Sequence, residues 1–255
     1  MVARLASSRD GSPEELVAGL SVAQLGEEHA LQRRRDWKFV VPRALLPELL
    51  GALEDTHQVL LAGTSRWARY ETEYLDTPER QCFRDHCRGR PHRQKVRFRD
   101  YLDRELTMLE VKTRTGRGGT HKLRSERPFA DHRLDEQALA FLGEHLRLDP
   151  TQLARVQQSS FRRLTLLAKG RPERVTLDLD LRIDGSDALA GVMVLEVKSG
   201  LPAPRTLSLA TVRQLGIRPG SLSKYVVGTA LTQPALPTHQ YRMTVRRIRR
   251  LAEAA

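Results

Sequence analysis

The chain is short of cysteine, of aromatic residues, of acid and of long apolar runs. Two cysteines, Cys82 and Cys87, exclude a disulfide framework. With His86 and His92 they fall short of the ligand number and spacing of a structural zinc site, so they read as scattered loop residues. No run of about 18 apolar residues occurs, so no membrane-spanning helix is expected. The opening MVARLASSRDGSPEELVAGL has no sustained apolar segment and does not read as a signal peptide. A cytoplasmic location is expected. Aromatics make up 5% of 255 residues, which leaves basic strands without stacking platforms for single-stranded nucleic acid. No specific nucleic-acid partner is expected.

The shortage of acid is the informative one. Asp and Glu number 31 against 43 Lys and Arg, a formal net charge of +12. That excess calls for an anionic partner, whether nucleic acid, a phosphate-rich small molecule or an acidic membrane surface. Net charge alone does not choose among them; the placement of the charge does. An apolar share of 40% suits a folded globular protein.

Along the chain, residues 1–30 read as a flexible tail with a short helix at SPEELVAGLSVAQLG. Residues 31–235 read as one α+β domain, and 236–255 as a basic tail in which VRRIRR is first a solvated segment and second a docking patch. Strands are expected at RRDWKFVV, WARYETEYLDT, HRQKVRFRDYL, RELTMLEVKTR and THKLRSERPF. A hairpin around Gly170 joins SSFRRLTLLAKG to ERVTLDLDLRID, and GVMVLEVKSG follows. Helices are expected over PRALLPELLGALEDTHQVL, RLDEQALAFLGEHLRL, PRTLSLATVRQLG and SLSKYVVGTALTQ, whereas PERQCFRDHCRGRP reads as a turn-rich connector. TRTGRGGTHK lacks the spacing of a P-loop and reads as a hairpin loop.

Alternate residues of a strand face opposite sides. By that parity Arg93, Lys95, Arg97 and Arg99 oppose Val96 and Phe98. Glu110 and Lys112 oppose Leu109 and Val111, and Lys122 and Arg124 oppose Leu123. Arg174, Thr176, Asp178, Asp180 and Arg182 oppose Val175, Leu177, Leu179, Leu181 and Ile183. Glu196 and Lys198 oppose Leu195 and Val197, and Asp36 and Lys38 oppose Trp37 and Phe39. One such strand is the wet face of an ordinary antiparallel sheet. Six or seven, mostly basic, point to a barrel whose apolar faces pack under helices and whose charged faces line a lumen. Such a lumen repels itself when empty and suits a polyanion, with carboxylates available to a divalent metal.

The stretches RRDWKFVV, YLDTPERQCF, RQKVRFRDY, LEVKTR, RVTLDLDLRI, VLEVKSG and LSKYVVG, in that order, resemble the VTC domain. This is the polyphosphate polymerase branch of the CYTH-like triphosphate tunnel metalloenzymes. The resemblance runs from about residue 33 to about 230. It implies a closed antiparallel barrel of about eight strands with helices packed outside. It also implies a phosphotransferase that moves the γ-phosphoryl group of ATP to a growing polyphosphate chain with Mn²⁺ or Mg²⁺. Carried over residue by residue, Arg97, Arg99, Arg163, Arg174 and Lys198 would act on the reacting phosphates. Lys38, Lys95, Lys112, Lys122, Arg124 and Lys224 would bind phosphate. Glu196 would hold the metal, with Glu110 and Asp178 as further candidates. Arg163 is preferred to Arg162 by parity. Tyr70, Tyr74 and Asp76 read as strand and turn packing.

There are departures from the pattern. The first strand reads Asp36-Trp37-Lys38 where the family commonly has Glu-Arg-Lys. It also lacks the Glu-x-Glu-x-Lys of the superfamily's hydrolases, which weighs against the rival reading of an inorganic or nucleoside triphosphatase. The membrane segment of eukaryotic members is not present in these residues, so coupled translocation of product is not expected. A non-catalytic polyphosphate or inositol-phosphate binder would share the same basic lining. Oligomeric state is open.

Overall fold

The computed structural model describes residues 12–20, 34–116, 119–200, 206–220, 222–233, 235–236 and 238–253. Its strands are β1 (Gly19–Leu20), β2 (Arg34–Pro42), β3 (His57–Leu60), β4 (Trp67–Asp76), β5 (Gln94–Tyr101), β6 (Leu106–Arg114), β7 (Thr120–Arg127), β8 (Ala154–Ala168), β9 (Glu173–Ile183), β10 (Ser186–Leu189) and β11 (Val192–Gly200). The helices are α1 (Leu46–Gly51), α2 (Gln81–Cys87), α3 (Glu136–His145), α4 (Leu207–Gln214), α5 (Lys224–Thr232) and α6 (Arg242–Glu253).

Eight strands form one path, β2-β11-β9-β8-β4-β5-β6-β7, and every neighbouring pair along it is antiparallel. Among the described residues no ladder joins β7 back to β2. The edge strand β2 is instead tied to β5. Gly220 donates its N–H to the Lys38 carbonyl of β2 at 2.8 Å, and Ser223, three residues on, takes a 2.6 Å bond from the Lys95 ammonium of β5. The closed barrel of the sequence reading is thus a curled sheet strapped by the chain before α5.

The sheet is turned inside out relative to a common sandwich. Its apolar parity faces outward. Phe39, Val41, Leu164, Leu166, Val175, Leu177, Leu195 and Val197 pack beneath Leu46, Leu49, Leu50 and Leu53 around α1 and beneath Leu209 and Val212 of α4. Leu75, Val96, Phe98, Leu109 and Val111 pack beneath Ala138 and Leu142 of α3. Each strand can therefore keep its charged parity on the inside without burying it in a core.

Several expectations change. The helix expected over 42–60 shortens to a 3₁₀ turn and α1, because His57–Val59 pairs with β8. The connector at PERQCFRDHC contains α2, whose first free N–H groups, at Cys82 and Phe83, are taken by the Asp76 carboxylate. Residues 12–20 belong to the fold: Val17 is in the core, the Trp67 indole donates to Glu14, and β1 pairs with β3. The rest of the expected N-terminal helix and residues 117–118 of the Gly-rich hairpin loop lie outside the described residues. VRRIRR is not a solvated tail. It lies within α6, which buries Ile248 and packs Leu251 and Ala252 against the barrel.

Candidate active site: the cation-lined tunnel

Thirteen of the predicted side chains share the inner parity of their strands, and Lys224 joins them from α5. Lys38 stands opposite Glu196, Glu196 opposite Thr176, and Lys198 opposite Arg174. Arg163 stands opposite Asp178. On the other half, Lys95 is opposite Lys112 and Lys112 opposite Lys122; Arg97 is opposite Glu110 and Glu110 opposite Arg124.

Parity fails at one place. Asp180 has φ 51° and the β8–β9 register shifts between Ser160 and Arg162, which marks a bulge. Beyond it the faces exchange. Asp180 turns outward to Arg162 and Arg43, Arg182 pairs with Asp187, and Leu181 and Ile183 turn inward against α5 and α6. Asp180 and Arg182 are therefore outside the lumen, contrary to the strand pattern. The same bulge separates the two neighbouring arginines: Arg163 enters the lumen, while Arg162 lies over the outer Trp67 ring.

Three carboxylates organise the cations. Glu110 is fully buried and takes Arg97 through Nε at 2.7 Å and Nη2 at 2.5 Å, Lys122 at 2.8 Å and Arg124 at 3.2 Å. Asp178 takes a two-pronged Arg163, at 2.5 and 2.9 Å, together with Lys224 from the first turn of α5. Glu196 takes Lys38 at 3.1 Å and Lys198. Burial alone would raise all three carboxyls, but the surrounding cations hold each well below the usual carboxylate range.

The cations outnumber these acids, and burial weakens their hold on protons. Burial, reinforced by Lys112 and Lys38, depresses Lys95 far below an ordinary lysine. Enclosure and Lys38 bring Lys112 to about 8, and burial brings Lys122 to about 7 and Lys224 to about 8 against the opposing pull of their acids. Arg99, buried beside Arg97, falls to about 10. The Gly220 and Ser223 contacts set β2 against β5 across one lumen.

Sequence reasoning missed the aromatic floor. Tyr70 and Phe161 stack at 5.1 Å, and the Arg99 and Arg163 guanidiniums lie over both rings. Lys224 sits 4.3 Å above Phe161, and Arg97 lies over Tyr74. Tyr70 thus lies beneath lumen cations, while Tyr74, under Arg97, is also packed as expected, in a core with Phe83 and Tyr225. Alternation pointed the other way: Tyr70, Thr72 and Tyr74 alternate with Arg69, Glu71 and Glu73, and on the other strands it is the charged parity that faces the lumen.

The metal calls separate by accessibility. The Glu110 and Asp178 side chains are 0% and 3% exposed, and both are closed off by arginine prongs. Glu196 is 15% exposed and held by lysines alone. Among the described residues the buried Thr176 hydroxyl beside it has no hydrogen-bond partner. Among the described residues no three His, Cys, Asp or Glu side chains converge as a metal cluster. The donors thus fit an ion held by one carboxylate and completed by phosphate oxygens and water, the hard-oxygen set of Mg²⁺-like ions.

An antiparallel tunnel with cations on nearly every inner strand and its hydrophobic cores outside defines a triphosphate tunnel protein of the CYTH-like kind. Within that class the chain belongs to the VTC domain family, which matches residues 33–233. The fold is shared with a candidate adenylate cyclase of Bacillus halodurans, at 13% identity and a TM-score of 0.51 over 75% of this chain and 94% of that one. A candidate adenylyl cyclase from Hippeastrum with a dominant triphosphatase activity aligns at 16% identity and a TM-score of 0.45, over 80% of this chain and 97% of that one. No curated protein matches the chain by sequence. Among the described residues no helix is long and apolar enough to cross a membrane.

Proposed function

We propose that the tunnel is the active site of a polyphosphate polymerase that transfers the γ-phosphoryl group of ATP to the end of an inorganic polyphosphate chain. The observation that carries this reading is the surplus of lumen cations, arranged around three separate carboxylates rather than spent on one. A linear anion with many charges can engage Lys95, Arg97, Arg99, Lys112, Arg163 and Lys198 together. The family match supports the same reading.

Phosphoryl transfer needs position and charge more than a side-chain nucleophile. A terminal phosphate oxygen of the polymer attacks the γ-phosphorus, the bond to the β-bridging oxygen breaks, and ADP leaves. Arg97, Arg99 and Arg163 hold the transferred group, with Arg99 and Arg163 seated on Tyr70 and Phe161. Arg174, Lys38, Lys198 and Lys224 hold the flanking phosphates, and Lys112, Lys122 and Arg124 extend the track. Glu196 would hold Mn²⁺ or Mg²⁺, which when bound offsets charge on the phosphate oxygens. Glu110 and Asp178 instead orient arginines.

The test is incubation with ATP and Mn²⁺, following long-chain polyphosphate on a gel beside free phosphate. Polymer formed by the wild type and absent in Glu196→Gln and Arg97→Ala supports the polymerase. Free phosphate without polymer, lost in the same variants, makes it a tunnel hydrolase. Salt-sensitive polyphosphate binding without turnover makes it a binding module.

A further inference from the structure

The C-terminal basic stretch is a solvent-facing surface at the end of the barrel that α5 and α6 cover, where Ile248 shares a cluster with Val40, Val192 and Val194. α6 spends its apolar face on the barrel through Ile248, Leu251 and Ala252. The fit is close: a Cβ on Gly191 would come 2.4 Å from the Ala252 carbonyl oxygen. The opposite face presents Arg242, Arg246, Arg249 and Arg250, all exposed. At 1.5 Å per residue they make a stripe about 12 Å long. Among the described residues none of these four has an acidic partner, and Glu253 is the one acid in the helix. Arg69, Arg133, Arg155 and Arg182 each face a carboxylate, whereas Arg84, Arg88 and Arg90 near α2 are exposed with no carboxylate partner among the described residues, but only α6 sets four such arginines along one helix face.

The chemistry of the stripe narrows its partner. Because the apolar face is already used, α6 cannot sink into a bilayer as an amphipathic anchor does. Its outer face carries no aromatic ring for base stacking, only Met243 at 66% exposure. What remains is a row of guanidiniums, suited to a ligand that presents phosphates and nothing else. The stripe is also tied to the tunnel wall. Arg247 donates to the Arg218 carbonyl at 3.5 Å, and two residues on, Gly220 bonds to the carbonyl of lumen-lining Lys38.

We propose that Arg242, Arg246, Arg249 and Arg250 form a docking stripe for linear inorganic polyphosphate, separate from the tunnel and serving to keep a long chain near it; this rests on the reading of the tunnel as a polyphosphate site. A chain held at the stripe presents its end to the tunnel at raised effective concentration.

The experiment measures binding of tripolyphosphate and of long-chain polyphosphate to the full chain over a salt series, in wild type and in R242Q/R246Q/R249Q/R250Q. Tripolyphosphate, with three phosphates, can engage only part of a stripe about 12 Å long, so its binding should change far less than that of the long chain. For the long chain, the slope of log affinity against log salt should shrink by about 3, from four charges at roughly 0.7 each by analogy with single strands. The same four positions as lysine should restore it. An unchanged long-chain slope, with tripolyphosphate still bound, overturns the stripe and leaves the tunnel reading standing. A wild type that binds neither anion overturns the tunnel reading as well. Single-stranded RNA bound more tightly than polyphosphate, and lost in the glutamine variant, overturns the assignment in favour of a nucleic-acid surface.

Discussion

The Tyr225 hydroxyl donates to the Asp76 carboxylate at 2.5 Å in a fully buried setting. Asp76 also accepts the N–H groups of Thr77, Cys82 and Phe83, so one carboxylate ties the end of β4 to the start of α2 and to α5. The residue before Tyr225 is Lys224, which reaches Asp178 in the lumen. Asp76 therefore sets the position of a lumen lysine it never touches. Tyr225→Phe should cost about 1.5–3 kcal/mol in denaturant unfolding, the range for a bond to a charged group. Tripolyphosphate affinity, followed by calorimetry, should fall with it. Full stability in the variant would remove the bond from the account. Lost stability with unchanged affinity would mean that Lys224 is placed by its own contacts.

How far the sequence carries can be judged from β9. Arg174, Thr176 and Asp178 were legible from alternation alone, because the period of two holds wherever the ladder is regular. The next two charged residues were not, because Asp180 takes a left-handed backbone and swaps the faces. Nothing in the letters of LDLDLRI marks that bulge. Tyr70 was misjudged for a different reason: aromatics on a strand usually mean core, and only the cations above the ring reveal a lumen. α2 depends on the buried Asp76 cap, which lies outside the helix and resembles any turn aspartate. The strap from Gly220 to Ser223 is a tertiary contact with no local signature.

Glu110 neutralises Arg97. Glu110→Gln would leave that guanidinium buried without its counter-charge, at a cost of about 3–5 kcal/mol. A phosphate chain supplies the missing charge. The gap in melting temperature between variant and wild type should therefore be wide without anion and narrow with saturating tripolyphosphate. A gap of the same width in both conditions would mean that the anion does not reach Arg97.

Two titrations should pull stability in opposite directions. Hydrogen bonds to Asp100 and Glu73 raise His132 to about 9, above its unfolded value of about 6.5. Its contribution is complete below about pH 6.5 and disappears as pH rises through 9. Burial lowers Lys224 to about 8, below an unfolded value of about 10.4. The cost of keeping it charged is complete below about pH 8 and fades as pH rises towards 10. The difference in unfolding free energy between wild type and His132→Gln should thus shrink between about pH 6.5 and 9. Lys122, Lys112 and Lys224 all push the other way above about pH 7 to 8, and Lys224→Met should remove part of that rise. A His132→Gln profile parallel to wild type would show that the Asp100 bond contributes nothing linked to protons.

Gly228 sits where α5 crosses the β8–β9 hairpin. A Cβ there would lie 2.8 Å from the Gln157 amide and 2.8 Å from Ile183 Cγ2. Gln157 cannot swing aside cheaply, since its buried amide donates to the Lys224 carbonyl at 3.3 Å and accepts the Thr229 hydroxyl at 3.1 Å. Helix propensity alone would make Gly228→Ala stabilising by about 1 kcal/mol. Overpacking should reverse the sign, to a loss of about 1–3 kcal/mol. Gly143→Ala in α3, where the added methyl meets nothing within 4 Å, is the matched control and should stabilise. The strain is relieved by lifting α5 off the hairpin, which draws Lys224 out of the lumen. Gly228→Ala should therefore also weaken tripolyphosphate binding, while Gly143→Ala leaves it unchanged. Stabilisation by both substitutions would show that α5 moves freely over Gln157, and that its grip on the tunnel lies in the Tyr225 bond alone.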